Sequence, residues 1–323
     1  MRATATAPAN IALIKYWGQS DPSINLPNND SVSFNLSNAF TETTVEFLPK
    51  LKTDQVQFNG AVAPDKFTAK VTKQLNWVRS IAGTTARAQV NTTNNFPTGA
   101  GIASSASGMA ALSVAGAKAL GLDLSTTELS ILARKGSGSA CRSIPDGFVI
   151  WHKGTDDASS YAESLYPADY WDIHNTIVVV QQGEKKVSSL AGHQSALTST
   201  LYPSRINAIS KSVAETLSAL KRRDFTALGE TAEAEAINLH AIMMTSRPSV
   251  MYWSPETLLV IEHVKALREA GVECYFTIDA GANVHVLSLG SSVKKVAAKF
   301  SHAPFVKTVI SAQPAIGARV LDL

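Results

Sequence analysis

The sequence predicts an α+β protein built as a two-part sandwich. Two observations lead to that class. In the first half, alternating β-branched segments interleave with helical repeats; in the second, long amphipathic helices are paired with short apolar strands around tight turns. The order of the elements then follows from local patterns.

"SVSFNLS" (31–37) alternates apolar and polar residues, "ETTVEFL" (42–48) has the β-branched and aromatic content of a strand, and "ARAQVNTTN" (86–94) reads as a third strand. Between them, "DKFTAKVTKQLNWVRSIAG" sets Phe67, Val71, Leu75, Val78 and Ile81 at helical spacing and stops at Gly83. Ser104 to Leu120 is rich in Ala, Leu and Met, lacks proline and stops at Gly121, which predicts a helix. "STTELSILARKG" opens with Ser125 and Glu128 in capping-box register. The polar stretch after "GFVIWHKG" precedes the strand-like "DIHNTIVVVQQ", so the division between two domains, 1–175 and 176–323, falls near residue 175. The second half continues with helices over "SRINAISKSVAETLSAL", where Ile206, Ile209, Val213, Leu217 and Leu220 share a face, "FTALGETAEAEAINLHAIMM" and "SPETLLVIEHVKALREAG". Strands "CYFTIDA" and "VHVLSL" then flank a turn at "GAN".

Composition narrows the function classes. The 323 residues are 45% hydrophobic with a formal net charge of +3, which offers no electrostatic case for nucleic acid or a membrane surface. The basic run Lys221, Arg222, Arg223 reads as a solvated helix end. Cys141 and Cys274 make neither a disulfide framework nor a zinc site, and reduced thiols in a cytoplasmic protein are the simple expectation. No stretch has the uninterrupted apolar length of a signal peptide core or a membrane span.

Five short stretches concentrate polar residues. "NNFPTGAGIASSASG" has glycines at 99, 101 and 108 and hydroxyls at Ser104, Ser105 and Ser107, just where a helix begins. A glycine-rich loop entering a helix N-terminus presents unpaired N–H groups and the positive end of the macrodipole, which suits phosphate. A turn packed with small residues for its own sake is the other reading. The spacing is neither the Walker pattern nor the dinucleotide fingerprint. "PANIALIKYWGQ" embeds Asn10, Lys15, Tyr16 and Trp17 in apolar surroundings. "KGSGSACRSIPDG" offers Gly136, Ser137, Gly138 and Ser139 as an anion-binding concavity, with Arg142 able to grip a carboxylate or phosphate through two N–H groups; a helix-ending turn with a surface arginine is the alternative. "KKVSSLAGHQ" carries two serines that cap a helix or bind an anion, and "FTIDAGANVHVL" places Asp279 at a strand end.

Together these stretches resemble the GHMP superfamily of small-molecule kinases, and within it the diphosphomevalonate decarboxylase family. The resemblance rests on "PANIALIKYWG", "NNFPTGAGIASSASG", "RKGSGSACRSIPDGFVIW", "KKVSS", "NLHAIMMTSRPSVMYW" and "YFTIDAGANVHVL", in that order along nearly the whole chain. It implies a GHMP kinase-like two-domain sandwich with an active-site cleft between the domains, the first of them binding ATP. It also implies ATP and Mg²⁺ as cofactors and a small-molecule substrate: mevalonate 5-diphosphate, decarboxylated through 3-phosphorylation to isopentenyl diphosphate, ADP, phosphate and CO₂. The expected assembly is a homodimer, with no nucleic-acid or membrane partner.

By motif match, Asp279, Lys15 and Arg142 would be catalytic. Tyr16, Ser137, Gly138, Ser139, Arg142 and Ser189 would bind substrate. Pro97, Gly99, Gly101, Ser104, Ser105 and Ser107 would bind the nucleotide, with Ser105 also at Mg²⁺. Four positions depart from the family pattern: Gln19 for the usual Lys, Leu190 for Arg, Asp146 for Gly and His285 for Lys. The first two remove cations expected at the 5-diphosphate end. That opens two alternatives: the same reaction on mevalonate 5-phosphate, giving isopentenyl phosphate, or recruitment of Lys185, Lys186, His193 or Arg205. A plain kinase of the same superfamily, a mevalonate 3-kinase without decarboxylation, is a competing reading. A non-catalytic metabolite-binding protein is the reading from another class.

Overall fold

The computed structural model describes residues 1–96, 104–182 and 187–321. Pro97, Gly99, Gly101, Lys185 and Lys186 lie outside the described residues. The N-terminal strand Arg2–Ile14 is buried almost throughout and runs antiparallel to Ser31–Leu48.

The sequence suggests two strands over 31–48, but the structure has one strand of 18 residues. Its first part pairs with Phe148–Trp151 and its last part with Arg87–Asn94. A bulge separates the two parts: pairing jumps from Pro8 with Phe40 to Asn10 with Asn35, and Asn38 takes a left-handed φ of 58°. Proline has no N–H to give a ladder, so a bulge is where a strand tolerates it, and asparagine accepts the left-handed region at low cost.

Helices Asp65–Ala82, Ser104–Ala119 and Thr126–Gly136 pack with this sheet, and the predicted capping box at Ser125 and Glu128 is present. Val71, Leu75 and Val78 are buried as their spacing predicts, whereas Ile81 is 52% exposed because it lies in the final turn, beyond the face that packs. The helix Ser104–Ala119 is buried on nearly all sides, from Ala106 to Ala119. A Cβ at Gly116 would lie 3.3 Å from Leu75 Cδ2, so small residues in this helix are required by a close helix crossing.

The second sheet is antiparallel, in the order Cys274–Thr277, Val284–Leu289, Ile173–Val179, Thr308–Ala312. Both its faces are covered. Tyr275, Leu287 and Ile177 point toward helices Tyr202–Arg222 and Phe225–Thr245 and the N-terminal strand, while Phe276, Val286 and Val178 meet helices Pro255–Glu269 and Val293–Ser301. The shared cluster of Ile11, Leu13, Val213, Leu220 and Ile177 makes one core across both halves. The final strand Arg319–Leu321 returns to pair with Thr4–Thr6 of the first sheet. Among the described residues, no helix is long and apolar enough to cross a membrane.

Gly229 marks the tightest approach of helix Phe225–Thr245 to the second sheet, since a Cβ there would enter the buried ring of Tyr275. Gly229→Ala should therefore lower stability by about 1–3 kcal/mol despite its better helix propensity, seen as a lower urea midpoint at unchanged m. An equal or higher midpoint would show that the helix is free to lift from the sheet.

Candidate active site

Lys15 follows directly on the buried strand Arg2–Ile14 and is itself 1% exposed. An ammonium in such a place must find an anion or lose its proton. It finds Asp279, two residues beyond strand Cys274–Thr277, with Nζ 2.6 Å from Oδ1; Nζ also donates to the Ala12 carbonyl at 2.6 Å. Burial alone would raise the Asp279 pKa, but the charge and hydrogen bond of Lys15 and the charge of Arg142 outweigh it and hold the carboxyl below its usual range. Burial likewise pulls Lys15 below the usual lysine value, against the attraction of Asp279. The side chain of Asp279 keeps 25% of its surface, so the anion faces open space while its cation does not.

The main chain of Lys15 is held from both ends. Its N–H donates to Glu235 Oε2 at 3.3 Å and its carbonyl accepts from Arg205 Nη2 at 3.0 Å, while Arg205 and Glu235 are themselves paired at 3.0 Å. Neither residue was assigned this task from the motifs. A signal existed for Glu235, because it falls on the buried stripe of its helix with Leu228, Ala232, Leu239 and Ile242. Arg205, considered above as a replacement phosphate ligand, is 3% exposed and committed to this clamp. His240, also unforeseen, hydrogen-bonds the Asp279 carbonyl through Nε2 at 3.2 Å and lies against the Trp253 ring.

Arg142 lies in the 3₁₀ turn Gly138–Ser143 and is 3% exposed, which excludes the surface-arginine alternative. Nε and Nη2 donate to Asn10 Oδ1 at 3.2 and 3.1 Å, and Nη1 donates to Ser31 Oγ at 2.8 Å. Asn10 is fixed in turn by donating to the Ser139 carbonyl and Ser143 Oγ. Buried Lys15, Arg79, Arg134 and Arg205 all have carboxylate partners; among the described residues Arg142 is the one buried cation without an ion pair. Its orientation is set by neutral groups, leaving its charge to a ligand.

Tyr16 joins this group from the other side of the turn. Its ring packs edge-on to Trp151 at 4.6 Å, and Gly138 is required there, since a Cβ would fall 2.6 Å from Tyr16 Cε1. Ser139 contributes its carbonyl to Asn10, and Ser137 Oγ donates to Ser105 Oγ at 3.3 Å, which brings the Gly-Ser turn to the start of helix Ser104–Ala119. Ser104 is half-buried and Ser105 exposed at that helix terminus, whose first turn carries no acidic residue. Ser107 faces inward instead: fully buried, it hydrogen-bonds Thr41 Oγ1 at 2.6 Å and joins helix to sheet. In "KKVSS", Ser188 caps helix Ser189–Ser195 by accepting from Ala191, and Ser189 is the first helical residue.

The departures from the family pattern have distinct settings. Gln19 gives its amide protons to Tyr16 Oη at 2.7 Å and Asn25 Oδ1 at 2.8 Å, and Leu190 is 51% exposed. Asp146 accepts from the Gly317 N–H at 2.6 Å and so anchors the C-terminal segment. His285 is buried beside Asp279, with Nδ1 2.9 Å from Asn175 Nδ2. Burial pulls His285 down to about 4 and His193 and His240 to about 3.

With the geometry in view, the comparisons with known proteins are as follows. Residues 7–162 match the family model "Diphosphomevalonate decarboxylase-like N-terminal domain" and residues 175–316 match "Mevalonate 5-diphosphate decarboxylase C-terminal domain". The chain is 35% identical to the diphosphomevalonate decarboxylase of Candida albicans, over 96% of this chain and 92% of that protein. It is 32% identical to the phosphomevalonate decarboxylase of Haloferax volcanii, over 92% and 91%. The solved structure of MDDEF in complex with MVAPP, AMPPCP and magnesium superposes with a TM-score of 0.94 at 40% identity, covering 100% of this chain and 99% of that one.

The three depressed imidazoles have a measurable consequence. A histidine whose folded pKa lies below its unfolded value of about 6.5 contributes stability that is complete above pH 6.5 and is lost as pH falls toward the folded value. Stability should therefore decline between about pH 6.5 and 4. His285→Asn should reduce that slope by up to about 1.4 kcal/mol per pH unit, measured by urea unfolding across the range; an unchanged slope would mean that His285 is not held neutral.

Proposed function

The chain belongs to the diphosphomevalonate decarboxylase family, and on that premise we propose that it catalyses the ATP-dependent decarboxylation of mevalonate 5-diphosphate to isopentenyl diphosphate, with ADP, phosphate and CO₂ as the other products. The structural neighbour that holds MVAPP favours the 5-diphosphate over the 5-monophosphate, and decarboxylation over a 3-kinase reaction alone. One observation carries the reading: an ionised Asp279, braced by Lys15, beside an Arg142 guanidinium that is buried with no carboxylate partner of its own among the described residues.

The chemistry follows from that arrangement. Asp279 is the base toward the tertiary 3-hydroxyl. A carboxylate with a reference pKa of about 3.9 is a poor base for an alcohol near 16, so the proton moves late, as the phosphoryl group passes through a loose transition state. Position then contributes more than basicity, which is what the Lys15 contact and the Glu235–Arg205 clamp supply. Arg142 orients the substrate carboxylate. A contact that tightened the ground state alone would oppose CO₂ loss, so its work is geometric. As phosphate leaves C3, the electron-poor centre is stabilised by the same Asp279 carboxylate.

The nucleotide end fits the exposed hydroxyls at the start of helix Ser104–Ala119. No described cluster of three or more His, Cys, Asp or Glu can hold a metal alone, so Mg²⁺ would be held by the nucleotide phosphates with Ser105. When bound, it neutralises charge on the transferring phosphoryl group. We place the ATP-binding half at 1–175 and the second half at 176–323, the final strand returning to the first sheet. We also place the enzyme in the cytoplasm as a homodimer; its two cysteines are buried and unpaired, as a reducing compartment allows.

Incubation with ATP, Mg²⁺ and mevalonate 5-diphosphate should release equal ADP and CO₂. ADP alone would mean a kinase, and neither product would refute the proposal. Asp279→Asn should lower turnover at least about 10³-fold while ATP still binds, because it removes both the proton acceptor and the stabilising charge. Near-normal turnover in that variant would remove Asp279 from the mechanism.

A further inference from the structure

His240 is 1% exposed on helix Phe225–Thr245 and takes no part in the mechanism above. Its ring lies 4.9 Å from that of Trp253 and meets that of Tyr252 edge-on at 6.4 Å. Nε2 is 3.2 Å from the carbonyl oxygen of Asp279. A carbonyl can only accept, so the ring proton is on Nε2 and Nδ1 is bare. Nδ1 is buried and has no hydrogen-bond partner among the described residues.

A buried acceptor left unmet costs stability, and an apolar side chain of the same size would fill the space without that cost. Packing against Trp253 therefore gives no reason for an imidazole here; the Nε2–H does. What it grips is the main chain of the proposed base. The Asp279 carbonyl also accepts the Gly281 N–H at 2.7 Å, which closes a three-residue turn, so both of its lone pairs are taken, one from inside the turn and one from outside. The far end of the turn is anchored separately. There the Ala282 carbonyl accepts from Thr257 Oγ1 at 2.6 Å, and Asn283 Oδ1 accepts the Val180 and Gln181 N–H groups at 2.8 and 2.9 Å.

The other member of the reacting pair is held by the same helix. Glu235, five residues before His240 and so about 7.5 Å away along the helix axis, accepts the N–H of Lys15 at 3.3 Å. One helix thus grips the main chain of both residues whose side chains meet at 2.6 Å. We propose that His240 is a positioning residue for the reaction: its Nε2–H holds the Asp279 peptide so that the carboxylate rests against Lys15 and faces the 3-hydroxyl, and helix Phe225–Thr245 sets the spacing of the pair. Without that bond the 279–280 peptide is free to rotate and the carboxylate leaves the line of proton transfer. Such a loss is geometric, and it falls on the chemical step and not on binding.

The inference rests on Asp279 as the base, and the test separates the two. His240→Phe fills the place of the ring and removes the donor. It should lower kcat roughly 10- to 100-fold, the loss expected when a reacting group is displaced on the order of 1 Å, with KM for mevalonate 5-diphosphate and for ATP within about twofold of the parent values. His240→Gln puts an amide nitrogen the same number of bonds from the backbone as Nε2 and should recover most of the turnover; His240→Asn, one bond shorter, should not. A residue that only packed would give the reverse order, with Phe tolerated best and Gln worse. Parent-like kcat in His240→Phe, a Gln variant no better than Phe, or a loss confined to KM would overturn the assignment. Where the unaltered protein releases no CO₂, the reaction is refuted and the positioning is read from crystal structures: the Asp279 carboxylate should part from Lys15 Nζ in His240→Phe and stay with it in His240→Gln. An unmoved carboxylate in His240→Phe refutes the positioning too.

Discussion

The contact between Lys15 and Asp279 is the constraint on which the site depends. A lysine 1% exposed at the end of an apolar strand is tolerated only if an anion reaches it, and the anion comes from a turn 264 residues later in the chain. Satisfying that requirement fixes how the strand Arg2–Ile14 meets the second sheet, and it leaves a carboxylate that is ionised, oriented and partly open. The same contact therefore closes the core and holds Asp279 in the state that the proposed mechanism asks of its base. The Glu235–Arg205 pair, which grips the backbone of Lys15 at both ends, keeps the ammonium from following any other partner.

Arg142 is the complement of this arrangement. Arg79, Arg134 and Arg205 are neutralised inside the protein by Asp54, Asp157 and Glu235, and so are structural. Arg142 is given only the neutral oxygens of Asn10 and Ser31, which determine where the guanidinium points without satisfying its charge. A buried cation left in this state raises the free energy of the empty site and lowers that of a bound anion, which is preorganisation in electrostatic form. Tyr16, Trp17, Trp151 and His193 pack as one aromatic group next to Arg142, which lies over the Trp151 ring, and Gln19 and Gly18 fix the polar edges of Tyr16 and His193.

Helix Ser104–Ala119 shows how one composition answers two requirements. Its small residues are needed from Ala106 onward by packing against the sheet and against Leu75, and Ser107 is absorbed into that seam through Thr41. Its first turn differs, with Ser104 and Ser105 reachable and no acidic side chain to repel phosphate. The change from open to core-facing occurs within three residues, about the length of a helical turn.

The sequence by itself determined the class of fold, the capping box at Ser125 and the buried faces of the main helices, because those rest on local periodicity and local hydrogen bonds, and the family resemblance singled out Lys15, Arg142 and Asp279 as candidates. The exposure of Ile81 and the continuity of the single strand Ser31–Leu48 are not fixed by local pattern, since end effects and a bulge at Asn38 depend on what packs alongside. Glu235 and His240 were visible only as polar residues on an apolar stripe, without a partner to give them meaning. Only the tertiary structure decided that Asp279 meets Lys15, that Arg142 is buried without an ion pair, and that Arg205 is consumed by Glu235. The physical reason is that a charge's role is set by the field of its neighbours, and in this fold those neighbours lie a hundred or more residues away along the chain.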